Sequence, residues 1–294
     1  MRSTADYDDR LIHCPLCKSG SLRPYDRDFR GHGVDRCIQC GVLLMNPQYS
    51  DTYLERFYST YLTVHDQNAP APERRKSHPE IRREAKRRSL ELVRQFVEPG
   101  RLLMVGCGDG LELELAQQTG WNVEGYDVDP STTADVAAKF GVPVHSGSFP
   151  DLDLPTGHYD VVFMDQVIEH LKDPGPYLVS CKRLLRKGGV LFLGMPNIGS
   201  VSNRGKSLLD RLGLKRRRRG NHYASKHHVF YYSPAVLARA LREHYGFDVL
   251  TTRGSLKPQR NPITPLLSRW LPSLDSGFIL LARNPEQAVE SASA

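Results

Sequence analysis

The chain has 294 residues, 40 Lys and Arg against 33 Asp and Glu, a formal net charge of +7 and a 39% apolar share. That length suits one large domain with a small attachment, and the apolar share belongs to a globular chain. No apolar run approaches the roughly 18 residues of a membrane span. The polar, acidic start lacks the apolar centre of a signal peptide, so a soluble cytoplasmic protein with a bias toward anionic partners is predicted.

Four of the six cysteines come first, as CPLC (Cys14, Cys17) and CIQC (Cys37, Cys40). In a reducing compartment, two such pairs point to metal before disulfides. Four thiolates leave zinc no open position, so a structural Zn2+ in a small ribbon over residues 1–46 is predicted. A helical linker is expected over 47–79: an aromatic-rich helix, then a proline-rich stretch. PEIRREAKRRSLELVRQFV follows, with Ile81, Ala85, Leu90, Val93 and Val97 at roughly helical spacing and a stop at Pro99-Gly100.

From there strands and helices alternate. RLLMVG reads as a strand and LELELAQQT as a helix. NVEGYDV, VPVHSG, YDVVFMDQ and VLFLGMPN read as further strands. PSTTADVAAKF is a helix between Pro130 and Gly141, and GPYLVSCKRLLRK a helix stopped by Gly188-Gly189. SPAVLARALREHY is a helix with Ser233 as N-cap and Pro234 in its first turn. FDVLTTRG and GFILLARN are late strands, and a flexible tail is expected over 285–294. This alternation predicts an α/β fold with a parallel sheet wound by helices on both faces.

Ligands of such sheets bind at the carboxyl ends of the strands. The loop after the first strand carries Gly106, Gly108 and Gly110. It lacks the Gly-Lys-Ser/Thr ending of a phosphate loop and the third glycine of the dinucleotide fingerprint. The backbone can still approach a ligand closely there. Asp127 ends the next strand, where a carboxylate can accept hydrogen bonds from both hydroxyls of a ribose. Asp165 and Gln166 end the YDVVFMDQ strand on the same rim.

Together VGCGDG, YDVD, YDVVFMDQVIEHL and LLRKGGVLFLGMPN resemble the motifs of class I S-adenosylmethionine-dependent methyltransferases. The front, CPLC…CIQCGVLLMNPQYSDTYLERFYSTY, is similar to the zinc-ribbon segment of bacterial small-molecule methyltransferases, and SKHHVFYYSPAVLARAL to their His-aromatic-Ser-Pro stretch. The resemblance implies a Rossmann-like, doubly wound, seven-stranded sheet, mostly parallel with one antiparallel strand, over residues 80–284 with an insertion at about 200–228. It implies S-adenosyl-L-methionine as cofactor, lined by Gly106, Cys107, Gly108, Gly110, Asp127, Val128, Ser148, Phe149, Asp165 and Gln166. The implied acceptor is a small molecule or glycan, such as a sugar, a quinone precursor, a lipid-linked compound or a natural product.

For a hydroxyl acceptor the protein must remove a proton. His170, His227 and His228 are the candidate bases, with His222 and Tyr223 nearby. Cys107 and Cys181 read as packing residues. The basic run Lys215–Arg219 suits an anionic or lipid-linked acceptor, an anionic membrane surface, or RNA. Sparse aromatic-basic interleaving argues against nucleic acid, and the intact glycine loop argues against a non-catalytic docking module.

Overall fold

The computed structural model describes residues 6–64, 79–214, 220–223, 228–256 and 271–286. His227 and the basic run Lys215–Arg219 lie outside them.

A seven-stranded sheet forms the centre. Its first five strands in sequence are β4 (Arg101–Val105), β5 (Asn122–Tyr126), β6 (Val144–His145), β7 (Tyr159–Asp165) and β8 (Leu185–Pro196). All are parallel, in the spatial order β8-β7-β4-β5-β6. β10 (Asp248–Gly254) and β11 (Gly277–Arg283) complete it, with β11 antiparallel to both β8 and β10. This is the Rossmann-like, mostly parallel sheet with one antiparallel strand that the motifs imply.

The central strands are buried on both faces, which is why they read as near-continuous apolar runs. Leu103, Val105, Val162 and Met164 point to one side, into a core shared with α5 (Pro174–Leu184) and α7 (Pro234–Tyr245). Leu102, Met104, Val161 and Phe163 point to the other, against α2 (Pro79–Arg94), α3 (Leu111–Gln118) and α4 (Pro130–Phe140). Of the predicted core face of α2, Ala85, Leu90 and Val93 are buried, with Val97 just beyond its end, but Ile81 is exposed.

One local reading is corrected and one refined. The helix before β8 ends at Leu184, not at Gly188-Gly189, and both glycines lie inside β8. The Asn284 side chain donates to the carbonyls of Lys182, Leu185 and Arg186, satisfying carbonyls released at the helix end. Ser233 does occupy the N-cap of α7, but its side chain makes no capping hydrogen bond.

A second, four-stranded antiparallel sheet lies at the front, in the order β1 (Leu22–Arg27), β2 (Gly33–Cys37), β3 (Leu43–Met45) and β9 (Phe230–Tyr231). Its last strand comes from the segment after β8, pairing Leu43 with Tyr231 and Leu44 with Phe230. The cysteine-bearing front therefore shares one core with the main sheet: Cys14, Leu16 and Val42 pack in the same cluster as Leu237 and Leu280. α1 (Asp51–Val64) follows β3, and α6 (Val201–Arg211) follows β8. No described helix is long and apolar enough to cross a membrane.

Candidate active site

The residues singled out for a cofactor gather at the carboxyl ends of β4, β5, β6 and β7. Gly106, Gly108 and Gly110 all have positive φ, at 74°, 50° and 79°. At Gly106 a Cβ would lie 2.5 Å from a Val167 methyl. At Gly108 a Cβ would meet no described residue within 4 Å, so among the described residues the bare backbone is uncovered at this point in the loop. Gly108 N–H donates to Asp127 Oδ2 at 2.9 Å, and Asp129 N–H to Oδ1 at 3.2 Å. Asp127 is thus aimed at the glycine loop by its own chain. Burial raises its carboxyl above the usual range against those bonds.

The rest of the rim is mixed. Val128 is exposed, while Cys107 is buried and its thiol is pushed by burial up to about 12. Cys181 is wholly buried and its thiol is raised for the same reason, which disfavours the thiolate form in both. Ser148 is exposed and donates to Asp151 at 2.6 Å. The Phe149 ring is fully buried, stacked on Tyr177 at 5.1 Å and tilted against Tyr126 at 5.0 Å. Gln166 has a φ of 60°, unusual outside glycine, and its N–H donates to Gly194 O at 2.8 Å. Such strain at a strand end is a mark of a site where geometry serves function.

Sequence reasoning missed the contribution of α2. Lys86 reaches over the rim to Asp165 at 2.6 Å and also pairs with Glu112. Burial pulls the Lys86 ammonium down, but Asp165 and Glu112 outweigh it and hold it above the usual lysine range. Arg82 forks onto Asp109 in the glycine loop, one arm at 2.8 Å. These are contacts between distant stretches of chain, so no local pattern announces them.

Beside the rim lies a cleft of about 230 Å³, lined by Glu169, Pro196, Ile198, His228, Phe230 and Tyr231, among others. His170 and His228 meet edge to face, with ring centroids 4.8 Å apart. Glu169, the neighbour of His170 in IEHL, approaches both rings, its Oε1 4.0 Å from His170 Nε2 and 3.8 Å from His228 Nε2, and was also missed. It is 1% exposed, and burial pushes its carboxyl up to about 8. His222 also lines the cleft, and its ring nitrogens lie 3.3 and 3.4 Å from Asp26 and Asp210.

Within the shared core, the Sγ atoms of Cys14, Cys17, Cys37 and Cys40 lie within 4.8 Å of one another, with 3.8 Å from Cys14 to Cys40 and 3.5 Å from Cys17 to Cys37. A tetrahedral zinc with bonds of about 2.3 Å separates its sulfurs by roughly 3.8 Å. The four residues fit such an ion. α7 supports this cluster: the Tyr245 hydroxyl donates to Leu16 O at 2.5 Å, and Arg239 donates to Cys40 O.

Residues 77–252, well over half of the chain, match the family described as "Methyltransferase domain". A protein of Mycolicibacterium smegmatis named "Probable S-adenosylmethionine-dependent methyltransferase" is 39% identical over 33% of this chain, and the match spans only 38% of that protein. The ubiquinone biosynthesis O-methyltransferase of Bordetella avium is 30% identical over 57% of this chain and 69% of its own length. Among solved structures, Burkholderia thailandensis 1,6-didemethyltoxoflavin-N1-methyltransferase, with bound 1,6-didemethyltoxoflavin and S-adenosylhomocysteine, has a TM-score of 0.54. The superposition covers 90% of this chain and all of that one at 15% identity, a likeness of fold.

Proposed function

The chain belongs to the class I S-adenosylmethionine-dependent methyltransferases, and from that premise we propose that it methylates a small-molecule or glycan acceptor. The observation that carries this reading is the Gly108–Asp127 contact, which turns a carboxylate toward backbone that lies open to a ligand. S-adenosylmethionine supplies an activated methyl group on a sulfonium. The loop from Gly106 to Gly110 would leave room for its amino-acid end, and Asp127 would accept from its ribose hydroxyls. Asp165 and Gln166 stand toward the acceptor side. Asp165 is paired there with Lys86 at 2.6 Å.

The cleft beside that rim is our assignment for the acceptor. The chain's tasks are to align the acceptor with the methyl group and, for a hydroxyl, to handle its proton. Glu169, His170 and His228 form the ionisable group placed for this, and His227 adjoins His228 in sequence. The mixed lining of Phe230, Tyr231 and Ile198 with these polar groups suits a compact, partly apolar acceptor. The Bordetella avium relative, named for ubiquinone biosynthesis, supports a small acceptor of that kind.

A lipid-linked acceptor has separate support. α6 carries Val201, Leu208 and Leu209, with Leu212 just beyond, all exposed, and it buries no residue. The Lys215–Arg219 run follows directly in sequence. An outward apolar stripe followed in sequence by a run of cations suits a helix that lies on an anionic membrane surface.

The test is methyl transfer from labelled S-adenosylmethionine into fractionated cell extract. We expect label in small-molecule or lipid fractions. Label confined to RNA would overturn the acceptor reading, and so would tight RNA binding that falls steeply with salt.

A further inference from the structure

The Glu169, His170 and His228 side chains bring three metal-binding donor atoms within 4.8 Å of one another, and Glu169 and His228 stand on the wall of the cleft assigned to the acceptor. His228 Nε2 lies 3.8 Å and His170 Nε2 4.0 Å from Glu169 Oε1. Both Glu169 carboxylate oxygens are buried and accept no hydrogen bond among the described residues. Burying a carboxylate in this way is costly unless something positive completes its surroundings. The main chain fixes the group: Val229 N–H donates to Glu169 O at 2.9 Å, tying the turn after β7 to the stretch that carries His228.

We propose that Glu169, His170 and His228 form a second metal site, separate from the four cysteines, that binds a divalent transition metal facing the acceptor cleft. Two imidazoles and one carboxylate suit zinc, iron(II), manganese(II) or cobalt(II) better than calcium or magnesium. Donors bonded to one ion at about 2.0–2.2 Å stand roughly 3.0–3.5 Å apart, so binding needs a contraction of about 1 Å or less across most of the trio. Three protein ligands leave coordination positions for oxygen atoms of an acceptor. An acceptor hydroxyl on such an ion keeps its oxygen bound and gives its proton to solvent water more readily. The two histidines are then ligands and not bases. This role rests on the reading of the cleft as the acceptor site, whereas the metal site itself does not.

The test is uptake of cobalt(II), read by visible absorption, in full-length protein whose cysteine site is already filled with zinc. Wild type should take up about one equivalent without a thiolate-to-cobalt charge-transfer band. Glu169→Gln, which nearly preserves shape, and His228→Ala should each weaken uptake by at least about tenfold, more than loss of an outer partner costs at the mild end. S-adenosylhomocysteine calorimetry on the same samples reports independently on folding and on the methyltransferase reading. No uptake by wild type, or uptake unchanged in both variants while cofactor binding persists, would overturn the second site and leave the cofactor assignment standing.

Discussion

At the scale of single residues, positions that look alike in sequence carry different burdens. Gly108 has a left-handed backbone but open surroundings, so Gly108→Ala should cost about 1–2 kcal/mol of stability from the backbone alone. It should weaken S-adenosylhomocysteine binding out of proportion to that loss. Gly106→Ala adds a collision with Val167 and should be the more destabilising change in a thermal melt. Asp28 makes a different prediction. Its carboxylate is almost fully buried with Arg30 and His32. Burial opposes its ionisation, but hydrogen bonds from His32 and Arg30 outweigh this and hold its carboxyl well below the usual range. A depressed folded-state pKa contributes stability above the unfolded value, near 4, that is lost as pH falls below it. Asp28→Asn should therefore cost about 2 kcal/mol at pH 7, with the gap to wild type closing under acid. Denaturant melts at several pH values check this, and a gap that widens on acidification would contradict it.

Among elements, the two most informative are α6 and β9. If α6 lies on a lipid surface, the chain should sediment with vesicles containing anionic lipid, and less with neutral ones. Leu208→Ser with Leu212→Ser should reduce that binding several-fold while cofactor affinity is unchanged. Binding that ignores the double substitution would remove α6 from the account. β9 is only two residues long, yet it completes the front sheet and directly follows His228 and Val229. We expect zinc on Cys14, Cys17, Cys37 and Cys40, at about one ion per chain in Cys37→Ser-sensitive form by metal analysis. Losing it should loosen β3 and β9 together, lowering methyl transfer while the main-sheet signal in circular dichroism persists. Wild-type protein purified without chelator and lacking zinc would contradict this.

For the whole molecule, the central sheet was legible in the sequence for a physical reason. Its strands are buried on both faces, so they appear as apolar runs, and glycine or proline marks most of their ends. Gly188-Gly189 misled because Asn284, from the far end of the chain, satisfies the helix end four residues earlier. The glycine loop and Asp127 were legible because their spacing is local. Lys86 on Asp165 and the pairing of β3 with β9 were not, since each joins distant stretches of chain. Glu169 escaped notice because a burial that leaves both its oxygens without hydrogen bonds among the described residues cannot be seen in one dimension. The most direct test of the account is calorimetric titration of S-adenosylhomocysteine into wild type and Asp127→Ala. Each hydrogen bond to a charged group contributes roughly 1.5–3 kcal/mol, so one site per chain is predicted, weakened about ten- to hundredfold in the folded variant. No binding to wild type, or equal affinity in both proteins, would contradict the central claim.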